Sequence, residues 1–189
     1  MKTNLKRIIH FLQERASGRA VLILFIITQV VYVAILFYTI PAVLEEAPDM
    51  KLFDMSPGGY TFEYAGDLLT AIGEKGRQTY LALQLPLDFI YPGLFAVTYT
   101  LLLTWLFSKG FARDSSVFYL ALVPAVAGLL DYLENIGIIM MLNSFPDISA
   151  VTVAFASMSS VIKSLFTVGF YLLLLVGIAA VIRRRVGTK

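Results

Sequence analysis

An all-α fold, a polytopic membrane protein built as a four-transmembrane-helix bundle, is what this sequence predicts. Three observations carry the prediction. Of 189 residues, 58% are hydrophobic and 15% charged, against about half and about a quarter in soluble domains. The charges are also missing from long blocks. No Asp, Glu, Lys, Arg or His occurs from Ala20 to Pro41, and about 18 such residues are enough for a membrane helix. Finally, the apolar runs are continuous, as in Tyr171-Leu172-Leu173-Leu174-Leu175-Val176, where barrel strands would alternate apolar and polar side chains. A helix satisfies its own backbone in lipid. The chain reads as a single membrane domain over residues 1–189.

The elements follow in order. Lys2 to Arg19 sets Ile8, Ile9, Phe11 and Leu12 among basic residues, which suits a short interfacial helix on anionic headgroups. The lone histidine, His10, lies beside Lys6 and Arg7 and reads as a solvated residue. The first span, residues 20–41, is longer than the roughly 7–15-residue apolar core of a cleaved signal peptide, so a retained anchor is expected. Residues 42–79 form an external segment. It opens with Glu45, Glu46, Asp49 and Asp54 and turns at Ser56-Pro57-Gly58-Gly59. Phe62, Ala65, Leu68, Leu69 and Ile72 then recur at helical spacing, with Gly73 as a C-cap. This predicts an amphipathic helix lying on the outer membrane surface, as a filler above the bundle or as a lid. Three further spans are expected at residues 80–108, 116–142 and 148–182.

Charge sets the expected orientation. Lys2, Lys6, Arg7, Arg15, Arg19, Lys109, Arg113, Arg183, Arg184, Arg185 and Lys189 fall on one side, and only Lys51, Lys75 and Arg77 on the other. The positive-inside rule then puts both termini in the cytoplasm, with the protein in the cell (inner) membrane. The net charge of +2 comes from basic ends facing anionic lipid and calls for no nucleic-acid partner. The absence of cysteine excludes disulfides, thiol redox chemistry and thiolate metal sites. One histidine cannot build a histidine-rich zinc or haem site, so neither metal nor cofactor is expected. No phosphate-binding loop or catalytic Ser–His pair is present, which argues against phosphoryl transfer and serine hydrolysis.

Four ionisable residues fall inside predicted spans: Asp88, Asp131, Glu134 and Lys163. Each costs about 2.5–3.5 kcal/mol if left alone in mid-membrane, so such residues face the bundle interior and pair. At 1.5 Å per residue, Asp88 and Glu134 lie about 10–12 Å below the outer boundary and Asp131 and Lys163 about 16–20 Å. Helical periodicity gives every span a polar stripe at similar depth. Thr28, Gln29 and Tyr32 mark the first; Gln84, Asp88, Tyr91, Phe95 and Thr98 the second. Asp131 and Asn135, with Gly128 and Ala125, mark the third, and Ser160, Lys163, Ser164, Thr167 and Tyr171 the fourth. The small residues on the third allow a neighbouring helix to approach. Pro92 frees the carbonyl of Asp88, and Pro124 that of Leu120. One cation cannot neutralise three carboxylates. Either a carboxyl holds a proton, as a candidate acid, or the pocket holds water or another cation.

Leu87-Asp88-Phe89-Ile90-Tyr91-Pro92 followed by Asp131-Tyr132-Leu133-Glu134-Asn135 resembles a pattern in an uncharacterised family of small four-helix bacterial inner-membrane proteins. The resemblance implies the four-helix topology and no activity. Three functions therefore stand as expectations. In the first, the polar site binds or processes a lipid or isoprenoid-like molecule by acid/base chemistry. Asp88, Asp131 and Glu134 would be the reacting carboxyls, and Lys163, Asn135, Tyr91, Gln84, Gln29 and Tyr32 the ligand contacts. In the second, the chain is a non-catalytic subunit or assembly factor, with a partner membrane protein or a second copy. In the third, it is a proton-coupled transporter, although no inverted repeat is apparent.

Overall fold

The computed structural model describes residues 2–186, with side chains from Asn4 onward. Met1 and residues 187–189, including the basic Lys189, lie outside the described residues, as does the Lys2 side chain. The described chain is helical: α1 Lys2–Arg15, α2 Gly18–Val43, α3 Phe62–Ala71, α4 Gly73–Gly110, α5 Ser116–Ser144 and α6 Ala150–Val186. Helices α2, α4, α5 and α6 are each long and apolar enough to cross a membrane.

Local chemistry sets the boundaries. Ser17 caps α2 by accepting from the Ala20 N–H, and Thr61 caps α3 by accepting from the Tyr64 N–H. Gly73 takes a positive φ of 63° between α3 and α4, a conformation that a side chain would strain. Helix α4 starts seven residues before the expected residue 80. Its polar first turns, with Glu74, Lys75 and Arg77, extend past the apolar run; polarity marks where lipid would end, not where a helix must. Helix α5 opens in tighter 3-10 form over Ser116–Leu122. Pro124 has no N–H to offer the Leu120 carbonyl, and the Val123 N–H takes it instead. Two widened π turns, at Ile35–Thr39 in α2 and Tyr80–Gln84 in α4, precede Pro41 and Pro86. Wide turns accommodate the donor that each proline lacks.

Small residues hold the helices together. A Cβ on Gly128 of α5 would lie 2.7 Å from the Pro92 carbonyl oxygen of α4, and one on Gly137 would lie 2.5 Å from the Ala156 Cβ of α6. Helix α6 closes on α4 at Gly177 against Leu106 and at Gly110 against Ala180. Helix α2 packs along α4, where the Thr28 and Thr98 hydroxyls share a 2.8 Å hydrogen bond. It makes no extended contact with α5 or α6. The bundle is therefore open between its first and last long helices.

The two ends differ. At one, Gln13 of α1 donates to the Arg113 carbonyl at 3.0 Å, and Arg184 of α6 donates to the Lys109 carbonyl at 3.2 Å. The basic segments thus gather at one end. His10 stands on the exposed side of α1, 3.4 Å from Glu14. At the other end, residues 42–79 fill the space above the bundle, one of the two roles expected. The apolar face of α3 is turned to protein and not to the surface. Ala65, Leu68, Leu69 and Ile72 are fully buried against the ends of the long helices, among Val43, Tyr80, Met141 and Val153. Phe62, read as part of that face, is half-exposed. Leu52 and Phe53 are also fully buried. The segment is a cap wedged into the bundle by its own apolar side chains.

Candidate functional site

The intramembrane-type charges meet. Asp131 and Glu134, three residues apart on α5, share a face and both reach Lys163 of α6. Lys163 Nζ donates to Asp131 Oδ1 at 3.0 Å and stands in ion-pair contact with Glu134 Oε2. All are shielded: the Lys163 side chain is 14% exposed, Asp131 12% and Glu134 0%. Glu134 Oε1 has no hydrogen-bond partner. Asp88 of α4 is the third carboxyl, buried, with Oδ2 unpartnered. It lies within electrostatic reach of Asp131, Glu134 and Lys163.

Asn135 has a backbone task. Its Nδ2 donates to the Asp88 carbonyl at 2.7 Å, the acceptor that Pro92 leaves without its helical donor. A side chain from α5 thus completes the hydrogen bonding of α4 at the level of the carboxyls.

A fourth carboxyl, Asp54, was not among the residues that the sequence singled out. It sits on the 3-10 turn Phe53–Met55 of the cap. Tyr80 Oη donates to its Oδ1 at 3.0 Å and Gln84 Nε2 to its Oδ2 at 3.2 Å. The Thr39 hydroxyl donates in turn to Gln84 Oε1, so both π turns support this acid. Gln84 therefore serves Asp54 rather than Asp88. The cap is tied to α6 by Ser160 Oγ donating to the Ser56 carbonyl at 3.1 Å, and by the Tyr60 N–H donating to Ser157 Oγ at 2.8 Å. The Tyr60 hydroxyl is buried and unpartnered. Burial first, and then the Glu134 and Asp54 carboxylates, push it above the ordinary tyrosine range, which keeps it neutral. One signal pointed to Asp54: an acid next to Leu52 and Phe53, which a solvated loop has no reason to carry.

A cleft of about 500 Å³ leads to this group, within the usual size of ligand sites. Gln29 and Tyr32 of α2 form one side and Ser164, Thr167, Val168 and Tyr171 of α6 the other. Asp131 and Lys163 lie at its polar part, Asp54 and Met55 of the cap border it, and Tyr91, Phe95 and Tyr99 of α4 line its depth. The rings form a ladder: Tyr32 stacks on Tyr91 at 5.4 Å, Tyr91 meets Phe95 at 6.0 Å, and Phe95 meets Tyr99 at 4.7 Å. Of the residues expected here, Asp131, Lys163, Tyr91, Gln29 and Tyr32 line the cleft; Asp88, Glu134, Asn135 and Gln84 do not. The arrangement offers carboxyls and an ammonium at one part and an aromatic surface at the other.

Compared with protein-family models, curated proteins and solved structures, the chain matches none. The resemblance carried by Leu87–Pro92 and Asp131–Asn135 gains nothing from these comparisons. The functional reading rests on the geometry.

Proposed function

We propose that this chain is an integral membrane protein whose four long helices cross the bilayer with both termini cytoplasmic, and that its cleft binds an amphipathic, lipid- or isoprenoid-like molecule. The separation of α2 from α6 is the observation that carries the reading. With lipid around the bundle, a gap between two spanning helices opens sideways into the acyl region, so an amphiphile enters without crossing water. Its polar end meets Asp131 and Lys163, and its chain lies along Tyr91, Phe95 and Tyr99. If the molecule is also processed, a proton held among Asp131, Glu134 and Asp88 is the acid available, and a neighbouring ionised carboxylate the base.

Orientation is checked by labelling single cysteines, introduced at Glu63 and Asp114, with a membrane-impermeant maleimide in intact cells. Labelling at Glu63 alone is expected, and labelling at Asp114 alone would reverse the topology. Binding is checked by native mass spectrometry of protein purified in a mild detergent. The wild type is expected to retain a lipophilic adduct that Tyr91→Ala weakens by about two- to tenfold, for the roughly 0.5–1.5 kcal/mol of aromatic contact removed. Equal retention by both proteins, or by neither, counts against the cleft as a binding site.

A further inference from the structure

We propose that the polar head of the molecule bound in the cleft is a cation, an amine or quaternary ammonium, and that it docks on Asp131 beside the faces of Tyr32 and Tyr91. The inference rests on the reading of the cleft as an amphiphile site and names the class of ligand.

Charge is the first argument. Asp54, Asp88, Asp131 and Glu134 lie within mutual electrostatic reach, and among the described residues Lys163 is the one ammonium with them. Lys163 is already engaged by Asp131 and Glu134. Of the bases at the same end, Lys75 pairs with Glu45 at 2.7 Å, Arg77 donates to the Leu69 carbonyl and covers the Phe145 ring, and Lys51 is exposed on the cap. A phosphate or carboxylate head would add negative charge to a shielded site with an acidic excess, and like charges repel most where the dielectric is low. A cation relieves that excess as a proton on one of the carboxyls does, and an anion does not.

Open valence is the second. Asp131 is 8% exposed and lies on the cleft wall. Lys163 takes its Oδ1, and among the described residues no donor reaches Oδ2. A carboxylate on the cleft wall with an oxygen that has no donor of its own is the complement of an N–H or N–CH₃ head.

The walls are the third. Apart from Asp54, Met55 and Pro57 of the cap, they are helices at mid-length, whose N–H groups are used within the helix, so the helical walls offer no cradle of backbone donors to an anion. Tyr32 and Tyr91, stacked with 24° between their planes, both line the cleft, and aromatic rings attract cations within about 6 Å of a free face. Among the described residues, no three acidic or histidine side chains are arranged to hold a metal ion, which favours an organic cation.

The test uses the full chain in dodecyl maltoside micelles, which are uncharged, and three probes sharing one chain: dodecyltrimethylammonium, dodecyl phosphate and dodecanol. Adducts are titrated by native mass spectrometry. The ammonium is expected to bind at least about tenfold more tightly than the other two. Asp131→Asn should erase that preference, and Gln29→Lys, which leaves the ion-pair group intact, should turn it toward the phosphate. Elution as a single monodisperse species confirms that each variant is folded. Binding of phosphate or alcohol as tight as the ammonium, still weakened in Tyr91→Ala, overturns the cationic head while the cleft stands. Binding of all three probes that Tyr91→Ala leaves unchanged overturns the cleft and the inference together.

Discussion

Replacement of Lys163 by Met is expected to lower stability by about 3–5 kcal/mol, the cost of breaking a buried ion pair from one side. Its Nζ serves both Asp131 and Glu134, whose side chains are 12% and 0% exposed. Met fills nearly the same volume, so packing changes little and the loss is electrostatic. Two acids are then left without a counter-charge, and Glu134 has no other partner for either oxygen. The rescue follows from the same reasoning. Lys163→Met combined with Asp131→Asn and Glu134→Gln removes the stranded charges and is expected to recover most of the loss. Thermal unfolding in detergent, followed by circular dichroism, measures both. A single variant as stable as the wild type would show that the cluster is open to water and screened.

Asn135→Leu is expected to cost about 1–3 kcal/mol, because it strands the buried Asp88 carbonyl. That carbonyl depends on Asn135 Nδ2 at 2.7 Å only because residue 92 is a proline. Pro92→Ala restores a backbone N–H at the helical position four residues on. The double variant Pro92→Ala, Asn135→Leu is therefore expected to be more stable than Asn135→Leu alone. Pro92→Ala in the wild-type background should change little. The same unfolding measurement decides, and strictly additive effects of the two substitutions would contradict the shared carbonyl.

The long helices were legible because the property that would hold them in lipid, continuous apolarity, is written residue by residue. Gly128 was legible too: a small residue on a polar stripe forecasts close approach, and the Pro92 carbonyl is what approaches. Pro92 announced a free carbonyl at Asp88, although the donor that takes it could not be named from spacing alone. Asp131, Glu134 and Lys163 could be placed at similar depth by counting. Lys163 bridging both acids at once required the relative rotation of α5 and α6, which periodicity leaves open.

The cap was the part least legible. Its amphipathic helix was evident from Ala65, Leu68, Leu69 and Ile72, but an apolar stripe does not say whether it faces lipid or protein. The same ambiguity hid Asp54. Only the burial of Leu52 and Phe53 carries that acid into the bundle, and its support by Tyr80 and Gln84 depends on a π turn with no simple sequence signal. The opening between α2 and α6 was equally out of reach, since hydropathy counts spans without ordering them.

Photocrosslinking along α6 tests the lateral cleft most directly. Val168 and Leu165 lie within one turn of each other and are 57% and 66% exposed, but only Val168 lines the cleft. A benzophenone amino acid placed at each position and irradiated in native membranes reports what lies against it. Capture at Val168 of one lipophilic species, enriched over the bulk lipid that Leu165 samples, is the predicted result. The same bulk mixture at both positions, or a crosslink from Val168 to α2 with no lipid captured, would contradict it.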